Sequence, residues 1–137
     1  MRNRTPDYAN WSTAMQDPTT FRAAIAILAI LQTVMLGALF AGVPPHPPVQ
    51  VAPFGIGPFL GASLAICAAA WMLASRRRPA LLLGGAAIVA ALVSFGPQKY
   101  FDPQFPLIWP AVLIAQAAIA TLLVQLVALP RTRGVPA

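Results

Sequence analysis

Four long apolar runs constrain this chain more than any other feature of its sequence. They cover about residues 21–42, 54–75, 80–95 and 107–129. An α-helix rises about 1.5 Å per residue and the hydrocarbon core of a bilayer is about 30 Å thick, so about 20 residues are needed to cross it. The third run is near the short limit of about 17 residues, and we still interpret it as a span. The sequence therefore predicts an all-α, four-helix transmembrane bundle in an up-down-up-down arrangement.

The composition favours lipid as the solvent of this surface. Hydrophobic residues make up 58% of the chain and charged residues only 9%, whereas a soluble domain averages about 25% charged residues. The net charge is +6, which in a soluble protein would suggest a nucleic-acid partner. Here the positive charges form short clusters beside the apolar runs, so they indicate orientation in a membrane, and we expect no nucleic-acid binding.

The distribution of charge predicts which way the spans run. Four spans place residues 1–20, the turn after residue 75 and residues 130–137 on one side of the membrane. That side then holds all eight arginines, and the other side holds only Lys99. Because cytoplasmic loops carry the excess of Lys and Arg, both termini are predicted to be cytoplasmic. This gives a cytoplasmic N-terminal segment (1–20), a membrane domain (21–129) and a basic tail (130–137), in the inner membrane of a bacterium.

A cleavable signal peptide is the main alternative for the first run, because its end, ALFAG, resembles a small-residue cleavage site. Signal-peptide apolar regions are about 7–15 residues long and follow a short basic start. This run is longer and follows a polar segment that contains Asp7 and Asp17. We therefore expect a retained span. The single cysteine, Cys67, excludes an intramolecular disulfide and a cysteine metal cluster.

Small residues in the second and third runs predict close helix contacts. In lipid, helices associate through close packing and hydrogen bonds rather than through burial of apolar side chains. Gly57 and Gly61 have GxxxG spacing, and Gly84 and Gly85 are adjacent in the third run. These faces predict packing within a hairpin of the two runs and contact with a protein partner or a second copy of the chain.

Three polar residues near the middle of the membrane are candidate functional groups. Gln32 and Thr33 lie in the first run and Gln116 lies at a similar depth in the fourth. A primary amide in hydrocarbon is costly unless it is paired. We expect Gln32 and Gln116 to face the bundle interior and to bond each other or Thr33. They are interpreted either as helix-joining groups or as the lining of a path for a polar solute.

The segment between the third and fourth runs, GPQKYFDPQFP, is the candidate binding surface. It combines prolines and interfacial aromatics with polar groups, and Lys99 and Asp102 can pair if the segment forms a helical turn. Two interpretations stay open: a rigid cap at the membrane surface, or a pocket for a lipid, quinone or carbohydrate headgroup. The pocket would be lined by five polar side chains: His46, Gln98, Lys99, Tyr100 and Asp102.

No group in the sequence predicts chemistry. The cores of the runs contain no Asp, Glu, Lys, Arg or His, the one histidine lies in a loop, and no catalytic or metal-ligand spacing is present. We therefore expect no enzyme activity, metal or cofactor. The sequence predicts a non-enzymatic accessory or scaffold subunit of a membrane assembly. The alternatives are a homo-oligomeric channel or transporter for a neutral or lipophilic solute, and a binder of lipid or quinone headgroups in the outer leaflet.

Overall fold

The computed structural model describes residues 18–44 and 52–128, and the regular secondary structure within these ranges is entirely helical. Its four α-helices are α1 (Pro18–Ala41), α2 (Pro53–Met72), α3 (Arg77–Phe95) and α4 (Phe105–Ala128). A short 3-10 helix, Pro97–Phe101, lies between α3 and α4. In the described part of the chain, four helices are long and apolar enough to cross a membrane, as the sequence predicts. His46, Arg2, Arg4, Arg131 and Arg133 lie outside the described residues.

The end of α1 shows why this helix stops before the proline-rich segment. Gly42 adopts a left-handed conformation with φ of 63°. The Val43 N–H donates to the Ala38 carbonyl at 3.1 Å, and the Gly42 N–H donates to the Leu39 carbonyl at 3.4 Å. This pair of bonds is a Schellman motif, which satisfies the last carbonyls of a helix and favours glycine at the left-handed position.

The turn between α2 and α3 lies about three residues earlier in the chain than the apolar runs suggest. The helix α2 ends at Met72 rather than near residue 75, and α3 begins at Arg77 rather than at residue 80. The Arg76 N–H donates to the Leu73 carbonyl at 2.8 Å, which closes the turn. Pro79 fits the first turn of α3 because that turn needs no intrahelical N–H donor. The extra turn brings α3 to 19 residues.

The helices form an antiparallel square in which each helix packs mainly against two neighbours. Arg22 near the start of α1 bonds the end of α2, and Phe40 near the end of α1 approaches Gly57 near the start of α2. We call the end that holds Arg22 and the α2–α3 turn the arginine end. The opposite end, where the 3-10 helix joins α3 to α4, is the connector end. Contact across the diagonal between α1 and α3 is minor.

The core contains large residues from three helices packed on an alanine-rich α3. Leu28, Leu60 and Leu122 are completely buried, and they pack near the buried Ala87 and Ala91 of α3. Half of the apolar stretch of α3 is buried (50%), but only 22% of that of α2. The helix α3 is therefore central to the fold, and α2 has the smallest buried share of its apolar stretch.

Candidate functional site

In the connector, residues 96–104, polar groups of the segment bond each other. The 3-10 helix brings Lys99 Nζ within 3.1 Å of Asp102 Oδ2, so the pairing expected for a helical turn is present. The other carboxylate oxygen, Asp102 Oδ1, accepts the Gln104 N–H at 3.0 Å. An aspartate that accepts the N–H two residues later forms an Asx turn, and this one leads directly into α4. The Asp102 side chain therefore orders the turn that immediately precedes α4.

Gln98 caps the carboxyl end of α3. Its Nε2 donates to the carbonyl of Leu92 at 2.7 Å and to the carbonyl of Val93 at 3.0 Å. The last four carbonyls of an α-helix have no intrahelical donor. The Gln98 amide supplies donors to two carbonyls at this end of α3, which fixes the chain direction as it leaves the helix.

Tyr100 joins the connector to the interior of the bundle through Gln116. The Tyr100 hydroxyl donates to Gln116 Oε1 at 2.6 Å, and Gln116 Nε2 donates to the Phe95 carbonyl at 3.3 Å. The Tyr100 ring also packs against Phe105, with ring centroids 5.1 Å apart. Gln116 therefore connects α4, the end of α3 and the connector.

The candidate residues of the connector thus bond the protein itself and do not converge on a common pocket. Lys99 pairs with Asp102, while Gln98 and Tyr100 bond groups of α3 and α4. His46, the remaining candidate, lies outside the described residues.

An apolar groove of about 420 Å³ lies between α1 and α4 at the connector end. Among its lining residues are Met35, Phe95 and Pro110. The four described polar candidates of the connector, residues 98, 99, 100 and 102, are not part of its lining. The groove and the polar groups are therefore separate features of this end of the bundle.

Gln32 is the most deeply buried polar residue in the described chain. Its exposure is 0%, and neither Oε1 nor Nε2 has a hydrogen-bond partner among the described residues. The predicted bond between Gln32 and Gln116 is wrong, because Gln116 bonds Tyr100 and Phe95 instead. Thr33 is exposed on the outside of α1 and donates to the Ala29 carbonyl at 2.8 Å. It does not take part in a polar interior site.

Ser63 is a buried polar residue that the sequence analysis did not single out as a partner for Gln32. It is 1% exposed and its hydroxyl has no partner within the described ranges. The contacts of Arg22 with Trp71 and of Phe40 with Gly57 set the register of α1 against α2. Interpolation between these contacts places Gln32 level with residues 61–65. The two orphaned groups therefore lie at the same depth, and this depth could be found from the sequence by pairing the two runs end to end.

The four candidate glycines have different environments. A Cβ on Gly84 would lie 3.0 Å from the ring of buried Phe21, so this glycine is used for packing inside the chain. A Cβ on Gly57 would be 3.9 Å from Phe40, an ordinary contact. At Gly61 and Gly85 a Cβ would meet nothing within 4 Å. Only the last two are open to an external helix.

The outward surface of α2 differs from that of the other helices. Between residues 55 and 70, every exposed residue of α2 is a glycine, an alanine or a proline. We call this surface the small-residue face of α2; it consists of Gly55, Pro58, Gly61, Ala62, Ala65 and Ala68. The outward residues of α4, by contrast, include Leu113, Ile114 and Val124.

Comparison with protein families, curated proteins and solved structures finds no match to this chain. Within residues 18–44 and 52–128, no three His, Cys, Asp or Glu side chains come together in a way that could hold a metal ion. The functional argument therefore depends on the geometry of the bundle and its surfaces.

Proposed function

We propose that this chain is a small multi-pass membrane protein that acts as a non-enzymatic accessory subunit, binding another membrane helix through the small-residue face of α2. The observation that supports this most directly is the exposure pattern of α2: its outward side chains between residues 55 and 70 are all small. Helices in lipid associate where small residues let two backbones approach closely. A face that only contacts lipid has no such requirement, and the large outward residues of α4 illustrate this.

The connector supports a structural role better than a headgroup pocket. Its charged pair and its amide and phenol groups already bond the protein, so a ligand would have to displace those bonds. The channel alternative has less support, because Thr33 lies on the outside of α1 and Gln116 is bonded to the connector. Of the three proposed lining residues, only Gln32 is fully buried with an unbonded amide.

The charge distribution supports one arrangement of the bundle in the membrane. We propose that the arginine end lies in the cytoplasm of a bacterial cell, with both termini on that side and the connector end outside. The support is the placement of Arg22, Arg76, Arg77 and Arg78 at one end of the bundle and of Lys99 at the other. Reporters of cytoplasmic and external location, fused at residue 1 and residue 137, are expected to give the cytoplasmic signal at both ends. Opposite signals at the two ends would contradict this arrangement.

The partner surface is tested by adding a side chain to it without disturbing the monomer. At Gly61 a Cβ would meet nothing within 4 Å, and the same is true at Gly37 on the outside of α1. We expect Gly61→Leu to abolish co-purification of a membrane partner or a second copy from mild detergent, and Gly37→Leu to leave it unchanged. Thermal unfolding of both variants checks that the bundle is intact.

Two results would contradict the proposed subunit role. One is a wild-type chain that remains a monomer without a partner in native-membrane crosslinking from a photoreactive residue at position 65. The other is equal loss of the complex in Gly61→Leu and Gly37→Leu, which would show that the effect is not specific to α2.

A further inference from the structure

A second groove lies between α1 and α2 at the arginine end, and its volume is about 470 Å³. Its floor is made of small or fully buried side chains and its rims are large apolar residues. Trp71 and Met72 stand at its end on α2, and Ile30 forms the rim on α1; these three are exposed. The floor includes Ala26, Ala29, Cys67 and Ala68. The groove is therefore an apolar depression along the bundle surface, and small residues between the two helices leave the space for it.

Arg22 stands at the end of this groove. On a helix, residues three, four, seven and eight positions apart share one face, so Arg22 lies on the face of α1 that carries the groove residues Ile25, Ala26, Ala29 and Ile30. Its Nε donates to the carbonyl of the rim residue Trp71 at 3.3 Å. The side chain is thus held at the mouth of the groove rather than extended away from it.

The mouth of the groove concentrates positive charge. Arg22 Nη2 donates to the Ser75 hydroxyl at 3.4 Å, and Arg76, Arg77 and Arg78 follow Ser75 directly in the chain. Among the described residues Asp102 is the only acidic one, and it lies at the opposite end of the bundle. A guanidinium has five N–H donors, and the two bonds to Trp71 and Ser75 use two of those on Arg22.

The geometry points to a binding site for an anionic glycerophospholipid at the arginine end, with an acyl chain in the groove and the phosphate on Arg22. Charge complementarity selects this occupant. An apolar groove alone accepts the chain of any lipid, but a cluster of guanidinium groups at its mouth favours a lipid with net negative charge. Guanidinium groups bind phosphate through charge-assisted hydrogen bonds. The site shares Ala68 with the proposed partner surface, but the lipid proposal does not rest on that surface and requires only that the bundle is in a membrane.

Trp71 provides a reporter inside the site. The chain contains three tryptophans, so Trp11→Phe with Trp109→Phe leaves Trp71 alone. The protein is reconstituted in phosphatidylcholine nanodiscs. Part of the lipid is then replaced by a brominated lipid, either phosphatidylglycerol or phosphatidylcholine, with bromine near the headgroup end of the acyl chains. We expect brominated phosphatidylglycerol to quench Trp71 fluorescence at a several-fold lower mole fraction than brominated phosphatidylcholine.

Variants separate the site from general surface charge. Arg22→Gln is expected to lower the preference for phosphatidylglycerol about five-fold, the effect of one arginine near an anionic lipid surface. Arg131→Gln removes the same charge from the basic tail and is expected to leave the preference unchanged. A protein whose only tryptophan is Trp109, at the connector end, is expected to show no preference. Glycerophosphate in solution is expected neither to quench Trp71 nor to compete.

Three results would overturn the proposal. They are equal quenching by the two brominated lipids in the wild-type background, an equal loss of preference in Arg22→Gln and Arg131→Gln, and competition by glycerophosphate. If Arg22→Gln does not fold, Ala68→Phe provides the test. Ala68 is exposed and lies in the groove, so a phenylalanine there fills the groove without entering the core. It is expected to lower quenching by phosphatidylglycerol to the level of phosphatidylcholine, and an unchanged preference would overturn the site.

Discussion

Replacing Gln32 by methionine is expected to stabilise the bundle. The Gln32 amide is completely buried and has no hydrogen-bond partner in the described part of the chain. Burial of an uncompensated polar group costs about 1–3 kcal/mol in protein mutational data. Methionine has the same unbranched shape and carries no group that requires a hydrogen bond, so Gln32→Met is expected to raise the free energy of unfolding by about 1–3 kcal/mol.

The same replacement at Gln116 is expected to have the opposite sign. Gln116 accepts a hydrogen bond from Tyr100 and donates one to the Phe95 carbonyl. Hydrogen bonds between membrane helices contribute about 0.6 kcal/mol on average and about 1.7 kcal/mol at most. Gln116→Met loses two bonds and leaves the Tyr100 hydroxyl without its acceptor, so a destabilisation of about 1–2 kcal/mol is expected.

Reversible unfolding in bicelles, followed by helix content and by fluorescence, measures both variants in one lipid environment. If Gln32→Met lowers the free energy of unfolding by about 1 kcal/mol or more, the reasoning is refuted, since this would show that the Gln32 amide is hydrogen-bonded in the membrane. Ser63 lies at the same depth and also lacks a partner. A double-mutant cycle with Ser63→Ala would then identify the bond: coupling between the two sites indicates a Gln32–Ser63 interaction, and additive effects exclude it.

Three further predictions follow from the contacts of single residues. Gly84→Leu is expected to destabilise the bundle by about 1–3 kcal/mol because its side chain would meet the buried Phe21 ring, whereas Gly85→Leu, with open space around it, is expected to unfold at the wild-type temperature. Asp102→Ala is expected to lose about 1 kcal/mol more than Asp102→Asn, because only asparagine can keep the turn into α4; chemical denaturation measures the difference. Gln98→Leu is expected to raise amide hydrogen exchange at the end of α3, since it removes donors from two carbonyls there.

The number and approximate position of the helices could be predicted from the sequence because run length and hydropathy are properties of the chain alone. The third run is near the short limit for a span, and in the structure its helix begins at Arg77. The reason is local: Pro79 is compatible with a first helical turn. If only apolar residues define the start of a span, that start is placed too late in the chain. Arginines can occupy the end of a helix that reaches the membrane surface.

The polar contacts could be predicted only in part because sequence position gives depth but not direction. Gln32 and Gln116 lie at similar depth, yet Gln116 turns toward the connector and bonds Tyr100. Thr33 is next to Gln32 in sequence and lies on the opposite, exposed side of α1. Adjacent helical residues differ by about 100° in direction. Which of them faces inward depends on how the helices pack, and that information is spread over all four helices.

The glycines also show that sequence position does not give the direction that a residue faces. The sequence does not distinguish Gly61 from Gly84. In the structure Gly84 packs against the Phe21 ring, whereas the space beside Gly61 is open. The buried residues of α2 recur at positions 60, 63, 67 and 70, a spacing that forms one narrow stripe toward the bundle. Ile56, Phe59 and Ile66 on either side of this stripe are partly buried against the core, and between residues 55 and 70 only the small-residue face of α2 is exposed.

Both proposed surfaces are therefore properties of α2, and one physical reason accounts for both. Small outward residues contribute little to the stability of the monomer in lipid, since burial of apolar side chains drives no association there. They do allow another molecule to approach the helix backbone closely. Along most of α2 this gives a surface for a second helix, and beside Arg22, where α1 supplies one wall and the arginines supply charge, it gives a groove for a lipid chain. The groove between α1 and α4 has a comparable volume but lies at the connector end, away from the arginines, so partner and lipid are both expected on the α2 side of the bundle.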